Sequence, residues 1–163
     1  MDMKTSPLAL LKDPTLLKTD ALINGQWVKG AKRFDVHDPA TGHKLADVAL
    51  LGPAEAQDAI DAANAADPTL EDGRPAALLY GERMSAELAR LFPDASDVLQ
   101  IAARGQHVER WLLPRSDYPD GKAGYLDWRR EQGRRHAERV AGIMADAGYA
   151  PEAQARVGVL LRK

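Results

Sequence analysis

The pattern of apolar and polar positions changes about one third of the way along the chain. Residues 21–28 are apolar at both ends and are interrupted by Asn24-Gly25, the dipeptide most typical of a tight β-hairpin turn. Residues 34–38 and 45–48 alternate between apolar and polar side chains, with a Pro- and Gly-containing turn between them. These positions predict a small N-terminal β-hairpin region.

After residue 53 the apolar positions recur with helical spacing instead. The pattern predicts helices over 54–66, 75–91, 98–111 and 121–147, and a last helix from residue 151 onward. Pro75 and Pro151 stand where prolines open helices, and Gly148 stands where a glycine closes one. The predicted fold class is therefore mainly α: a helical bundle with a small N-terminal β-hairpin region.

Charge usage changes at the same place as the hydrophobic pattern. Residues 1–53 contain six Lys and one Arg, whereas residues 54–163 contain two Lys and 13 Arg. The net charge of -2 excludes a globally basic nucleic-acid binder, and the absence of Cys excludes a cysteine nucleophile. No apolar run approaches the ~18 residues of a membrane span, so we expect a cytoplasmic protein without membrane partners.

Residues 8 to about 60 resemble the beginning of aldehyde dehydrogenases of the succinate-semialdehyde type. The segments that carry the resemblance are 11–17 (LKDPTLL), 21–28 (ALINGQWV) and 34–42 (FDVHDPATG). The resemblance implies a leading helix and strands that pack, in that family, on a coenzyme domain. By itself it suggests an NAD(P)-dependent dehydrogenase, but that family's catalytic cysteine, general-base glutamate and coenzyme loop all lie beyond the matched stretch.

The remainder resembles a different family, domain of unknown function family 4202. The matching segments are 59–68 (AIDAANAADP), 79–84 (LYGERM), 102–111 (AARGQHVERW), 114–119 (PRSDYP), 124–129 (GYLDWR) and 136–139 (HAER). That family continues with further helices, so we expect a bacterial chimera with domains 1–53 and 54–163, the second truncated at its C-terminus. The seam lies between about 50 and 66, because alanine-rich segments such as 59–66 occur in both families.

His107 and His136 are the candidate metal ligands. Within the predicted helices His107 lies four residues from Trp111 and His136 four from Val140, which places both on apolar faces. The arrangement resembles HD-type metal phosphohydrolases, with Glu138 as a third candidate ligand. The alternative is that both are buried packing residues. Catalytic zinc takes about three protein ligands, so we expect no cofactor, and a divalent metal is the alternative.

The loop formed by Arg115, Ser116, Asp117 and Tyr118 is the candidate phosphate- or ligand-binding segment, because it lies between two prolines within the family resemblance. The Arg-rich stretch 129–139 is a second basic candidate that suits a nucleotide or a nucleic acid. We favour a solvated helix face for it, since its charges form i,i+4 pairs. Other partners are unknown.

Three functions follow from these patterns. The first is a non-catalytic chimeric fragment, and the second is a metal- or phosphate-handling helical domain of HD-like type. The third, an aldehyde dehydrogenase, is excluded for these residues because the chain has no Cys. Whether the helical domain is an enzyme stays open, and the sequence favours that it is not.

Overall fold

The computed structural model describes residues 8, 11–23, 25–30 and 32–163. The chain divides into two compact units, Met1–Leu51 and Gly52–Lys163. The prediction of a mainly helical fold with a small N-terminal β region is confirmed. Among the described residues, no helix combines the length and the apolar character that crossing a membrane requires.

The first unit consists of two antiparallel hairpins. Strands β1 (Ala21–Ile23) and β2 (Gln26–Val28) form one, and β3 (Lys32–His37) and β4 (Lys44–Leu50) form the other. Both hairpins were expected from the sequence, although Asn24 of the first turn lies outside the described residues. In the described part of the implied leading helix there is a 3-10 turn, Pro14–Leu16.

Polar contacts hold this first unit together. The Arg33 guanidinium contacts the carboxylates of Asp20 at 2.7 Å and Asp47 at 2.5 Å, and it donates to the carbonyl oxygen of Thr19 at 3.1 Å. Ile23 is the one buried side chain among the described residues of this unit. The unit therefore has little apolar core of its own.

The second unit contains five helices. They are α1 (Pro53–Asn64), α2 (Ala76–Leu91), α3 (Asp97–Arg104), α4 (Gly121–Asp146) and α5 (Pro151–Leu161). A short antiparallel pair, β5 (Leu70–Glu71) and β6 (Arg74–Pro75), precedes α2. Prolines occupy the first turn of α1 and α5, the Ser96 side chain caps α3, and Gly148 with φ 80° follows α4. Helices α4 and α5 lie where the sequence predicted them.

The core of the second unit lies between α1, α3, α4 and α5. Its largest fully buried apolar side chains include Ile60, Ile101, Val140, Met144 and Val157. Helix α4 packs against α5, and α3 packs against α1, α2 and α5. Burying one such side chain contributes about 1.5–3 kcal/mol, so these contacts dominate the stability of the unit.

The predicted helix over 98–111 is wrong in its second half. Helix α3 ends at Arg104 and is followed by the 3-10 turns Gly105–His107 and Arg110–Leu112. A Cβ atom at Gly105 would lie 2.5 Å from Cγ2 of Val140, so the close approach to α4 requires a glycine. Between the turns Glu109 has φ 51°, and its N–H donates to Oδ1 of Asn64 at 3.0 Å.

Candidate functional site

The 3-10 turn Arg110–Leu112 is held in place by two buried side chains of α4. Nε2 of Gln132 donates to the carbonyl oxygens of Arg110 at 2.9 Å and Leu113 at 3.0 Å. Nε1 of Trp128 also donates to the Leu113 carbonyl, at 2.9 Å. These bonds fix the backbone on both sides of the turn, and therefore the position from which the Arg110 side chain extends.

A cleft of about 430 Å³ opens beside this turn. We name it the basic cleft; its functional side chains are Tyr80, His107, Arg110, Arg129, His136 and Lys163. The end of α5 closes one side of it, because Gly133 lets the chain approach: a Cβ there would lie 3.1 Å from the carbonyl oxygen of Leu161. The cleft thus combines residues from α2, both turns, α4 and the chain that follows α5.

The charged side chains that line the basic cleft are cationic. Arg110, Arg129 and Lys163 line it, and none of its described lining residues is acidic. The Arg110 guanidinium lies 4.6 Å from the centre of the Trp128 ring, and it has no carboxylate partner in the described part of the chain. Burial lowers the pKa of Arg110 from its ordinary value, which shows that its charge is partly desolvated. The site favours an anion.

Two histidines contribute neutral imidazoles to the same cleft. His136 is 4% exposed, and its Nε2 is buried without a hydrogen-bond partner among the described residues. His107 is half-buried and stacks on the Tyr80 ring, with the ring centres 3.5 Å apart. Burial is the largest cause that lowers the pKa of each histidine, and together with the Arg110 charge it brings the pKa to about 4. Both are therefore neutral at pH 7.

Of the three candidate metal ligands, the structure brings two to the same cleft. His107 and His136 both line the basic cleft, although His107 lies on a 3-10 turn and not on a helix face shared with Trp111. Glu138 is not part of that lining, and its carboxylate contacts the Arg134 guanidinium at 2.6 Å. Across the described residues, no group of three or more His, Cys, Asp or Glu side chains is placed to hold a metal ion.

The candidate loop lies at a neighbouring cleft of about 370 Å³, which we name the aromatic cleft. Asp67, Glu71, Trp111, Leu113, Arg115 and Trp128 line it, and it shares Tyr80, His107 and Arg110 with the basic cleft. Arg115 donates to the carbonyl oxygens of Tyr118 at 2.8 Å and Pro119 at 2.9 Å. Its guanidinium therefore forms hydrogen bonds with the backbone of the loop and the proline that follows it. Ser116 and Asp117 are exposed at the surface.

Most arginines of the stretch 129–139 are ion-paired on the surface of α4. Arg130 contacts Asp127 at 2.9 Å, Arg134 contacts Glu131 at 2.6 Å, and Arg139 contacts Glu109 at 3.1 Å. Such pairs are what a solvated helix face shows. Arg129 differs, because it lines the basic cleft and has no acidic partner among the described residues.

Sequence reasoning missed several residues that build the cleft. Tyr80, Arg110, Gln132 and Lys163 were not singled out, although Arg110 lies within the segment 102–111 of the second resemblance. Arg110 was overlooked because the predicted helix 98–111 placed it one residue before a helix end, where no special role is expected. In the structure the chain turns between His107 and Trp111, and helical periodicity in the sequence gives no indication of that turn.

Comparison with known families places the larger part of the chain in one family. Residues 54–163 match the family described as Domain of unknown function (DUF4202). This range contains the whole of both clefts. No solved structure matches the chain.

Comparison with curated proteins finds aldehyde dehydrogenases. The chain is 32% identical over 141 residues to succinate-semialdehyde dehydrogenase [NADP(+)] GabD of Escherichia coli, covering 83% of this chain and 28% of the dehydrogenase. It is 48% identical over 58 residues to 3-sulfolactaldehyde dehydrogenase of Pseudomonas putida, covering 34% and 12%. The human mitochondrial succinate-semialdehyde dehydrogenase is 46% identical over 48 residues, covering 29% and 9%.

The chain spans less than a third of the length of these relatives. The alignment with the E. coli enzyme covers 83% of the chain and so extends beyond the first unit, whereas the other two are short. Similarity both to an unknown-function domain and to dehydrogenases was predicted from the sequence, and it is confirmed. The two similarities are consistent with a chimera.

Proposed function

The chain belongs to the DUF4202 family, and from the geometry of its helical unit we propose that this unit is a non-catalytic domain that binds a phosphate-bearing ligand in the basic cleft. One observation carries the proposal: Arg110, Arg129 and Lys163 share a cleft whose described lining holds no Asp or Glu side chain. Guanidinium groups bind phosphate oxygens through paired, charge-assisted hydrogen bonds. A partly desolvated guanidinium without a counterion gains stability from such a ligand.

The two histidines support a ligand at this position. A neutral imidazole offers one N–H donor and one acceptor nitrogen, and Nε2 of His136 is without a protein partner in the described chain. A buried polar atom that lacks a hydrogen bond is costly, by about 1–3 kcal/mol, unless a ligand or water meets it. We assign His107 and His136 the role of hydrogen bonding to the bound anion.

A divalent transition metal is the second candidate ligand. Neutral imidazole nitrogens bind zinc and nickel, and His107 and His136 line one cleft. With Glu138 paired to Arg134, the protein offers fewer than the roughly three ligands of a catalytic zinc site. The positive charge of Arg110 also opposes a cation, so phosphate is the better fit.

For the first unit we propose no chemistry of its own. The N-terminal part of the chain is similar to dehydrogenases, and the match to the family of the helical domain begins at residue 54. Aldehyde oxidation by that family requires a thiol that forms a thiohemiacetal with the substrate. The chain contains no Cys.

Purified protein is therefore expected to reduce neither NAD+ nor NADP+ in the presence of succinate semialdehyde. Absorbance at the nicotinamide band measures this directly, with the E. coli GabD enzyme as the positive control. Cofactor reduction above the protein-free rate would contradict the absence of dehydrogenase chemistry.

Binding of inorganic phosphate and pyrophosphate, measured by isothermal titration calorimetry, tests the proposed ligand. We expect saturable binding that weakens as salt rises, because the attraction is electrostatic. Arg110→Gln and Arg129→Gln should each weaken it by about tenfold or more, since a hydrogen bond to a charged group contributes about 1.5–3 kcal/mol.

Arg130→Gln is the matched control. Arg130 is the neighbour of Arg129 on α4, but it contacts Asp127 and does not line the cleft. Its replacement should leave the affinity unchanged. Equal losses for Arg129→Gln and Arg130→Gln would overturn the proposal, as would the absence of saturable binding. Zinc binding with sub-micromolar affinity that His136→Ala abolishes would favour the metal instead.

A further inference from the structure

The basic and aromatic clefts are adjacent and share part of their lining. Tyr80, His107 and Arg110 line each of them. Their volumes of about 430 and 370 Å³ lie at the lower end of the ~300–1,000 Å³ range of small-molecule sites. The shared side chains place the two clefts next to each other, with Arg110 lining both.

The two clefts differ in free charge. The charged side chains in the described lining of the basic cleft are the cations Arg110, Arg129 and Lys163. In the aromatic cleft the carboxylates already have partners: Asp67 accepts from the backbone N–H groups of Thr69 and Ala77, each at 2.9 Å, and Glu71 contacts Arg83 at 2.7 Å. The carboxylates of the aromatic cleft therefore already have partners, and Tyr80, Trp111 and Trp128 add aromatic surface to its lining.

The aromatic rings of that cleft differ in their stacking partners. His107 covers one face of Tyr80, and Arg110 lies over Trp128. Trp111 lines the aromatic cleft and is half-buried, and in the described chain no other ring or cation lies against it. Trp111 directly follows Arg110 in the chain and lines the cleft, so it is the candidate stacking partner for a flat ring there.

We infer that the ligand is a phosphate monoester that carries a flat heteroaromatic ring, a nucleoside monophosphate, with its phosphate in the basic cleft and its base against Trp111. The inference rests on the proposed function, because it needs phosphate in the basic cleft. Arg110 lies at the junction and contacts the linking phosphate oxygen. Stacking of a base on an aromatic side chain supplies affinity that a phosphate alone does not gain.

Calorimetric titration with AMP, ribose 5-phosphate, adenosine and inorganic phosphate tests the inference. AMP should bind about tenfold to a hundredfold more tightly than ribose 5-phosphate, which is the usual effect of stacking one base. Trp111→Leu should remove this difference and leave the ribose 5-phosphate affinity unchanged, which also shows that the variant folds. Arg129→Gln should weaken both ligands.

Trp27→Leu, in the first unit, is the control substitution and should change neither affinity. If AMP binds no more tightly than ribose 5-phosphate, or if Trp111→Leu leaves the AMP affinity unchanged, the inference fails while the phosphate site stands. If neither inorganic phosphate nor ribose 5-phosphate binds, the proposed function itself fails. The two failures are therefore distinguishable.

Discussion

Replacing Asn64 with Ala is expected to lower the free energy of unfolding by about 3 kcal/mol. Asn64 is fully buried at the end of α1. Its Oδ1 accepts the N–H of Glu109 at 3.0 Å, and its Nδ2 donates to the Ala77 carbonyl at 3.4 Å. The substitution removes both bonds, leaves the Glu109 N–H without its partner and creates a cavity. Urea denaturation, followed by circular dichroism, measures the loss.

The same substitution should also weaken phosphate binding. Glu109 has a left-handed backbone, φ 51°, which is costly for a residue other than glycine and depends on the bond to Asn64. Arg110 is the next residue, so a relaxed Glu109 displaces its guanidinium. Asp58→Ala, an exposed position on α1, should change stability by less than about 0.5 kcal/mol. An Asn64→Ala stability equal to that of Asp58→Ala would contradict this role.

Acidification is expected to destabilise the helical unit between pH 6.5 and about 4. Burial lowers the pKa of His136 from 6.5 to about 4 in the folded state, with Arg110 and Arg135 acting in the same direction. In this pH range the unfolded chain binds a proton that the folded chain does not, so protonation favours unfolding. The contribution of the neutral His136 to the free energy of unfolding is fully present above pH 6.5, and it is lost as the pH falls to about 4.

The expected size of the His136 effect is about 3 kcal/mol, at about 1.36 kcal/mol for each pH unit of difference. His107 adds to it in the same direction, because burial, Arg110 and His136 lower its pKa to about 4. Denaturant midpoints at pH 7, 5.5 and 4.5 measure the trend. Carboxylates also titrate in this range, so the wild type must be compared with a variant.

His136→Met isolates the histidine, because methionine fills the buried position and does not titrate. The variant should lose less stability than the wild type over the same pH interval. His43→Gln, at an exposed position in the turn between β3 and β4, is the matched control and should retain the wild-type slope. A slope that His136→Met leaves unchanged would show that His136 is not the group responsible.

The family assignment does not indicate an activity, whereas the geometry of the basic cleft supports a ligand. Membership in DUF4202 gives a family for residues 54–163 and no activity, and the dehydrogenase similarity concerns proteins of which this chain covers less than a third. The proposed function therefore rests on the arrangement of Arg110, Arg129 and the two histidines. That arrangement is what the binding experiments address.

The sequence alone was sufficient for the elements whose signals are local. The hairpins follow from alternation and turn residues, and α4 follows from a long helical period that ends before Gly148. The change from Lys to Arg usage accompanied the change of fold, and the two resemblances identified the families. His107 and His136, which the sequence named as candidate metal ligands, both line the basic cleft.

Only the tertiary structure decided how the site is built. The break after Arg104 depends on the contact of Gly105 with Val140, and the conformation of Glu109 depends on Asn64. Each pair is separated by at least 35 residues in sequence, so local periodicity carries no signal of it. The same break turns Arg110 toward the basic cleft, whereas Glu138, two residues from His136 on α4, points about 200° away around the helix. The spacing of apolar residues in the sequence was enough to identify the two histidines as candidates. Which residues surround them is determined by packing between segments that are distant in sequence.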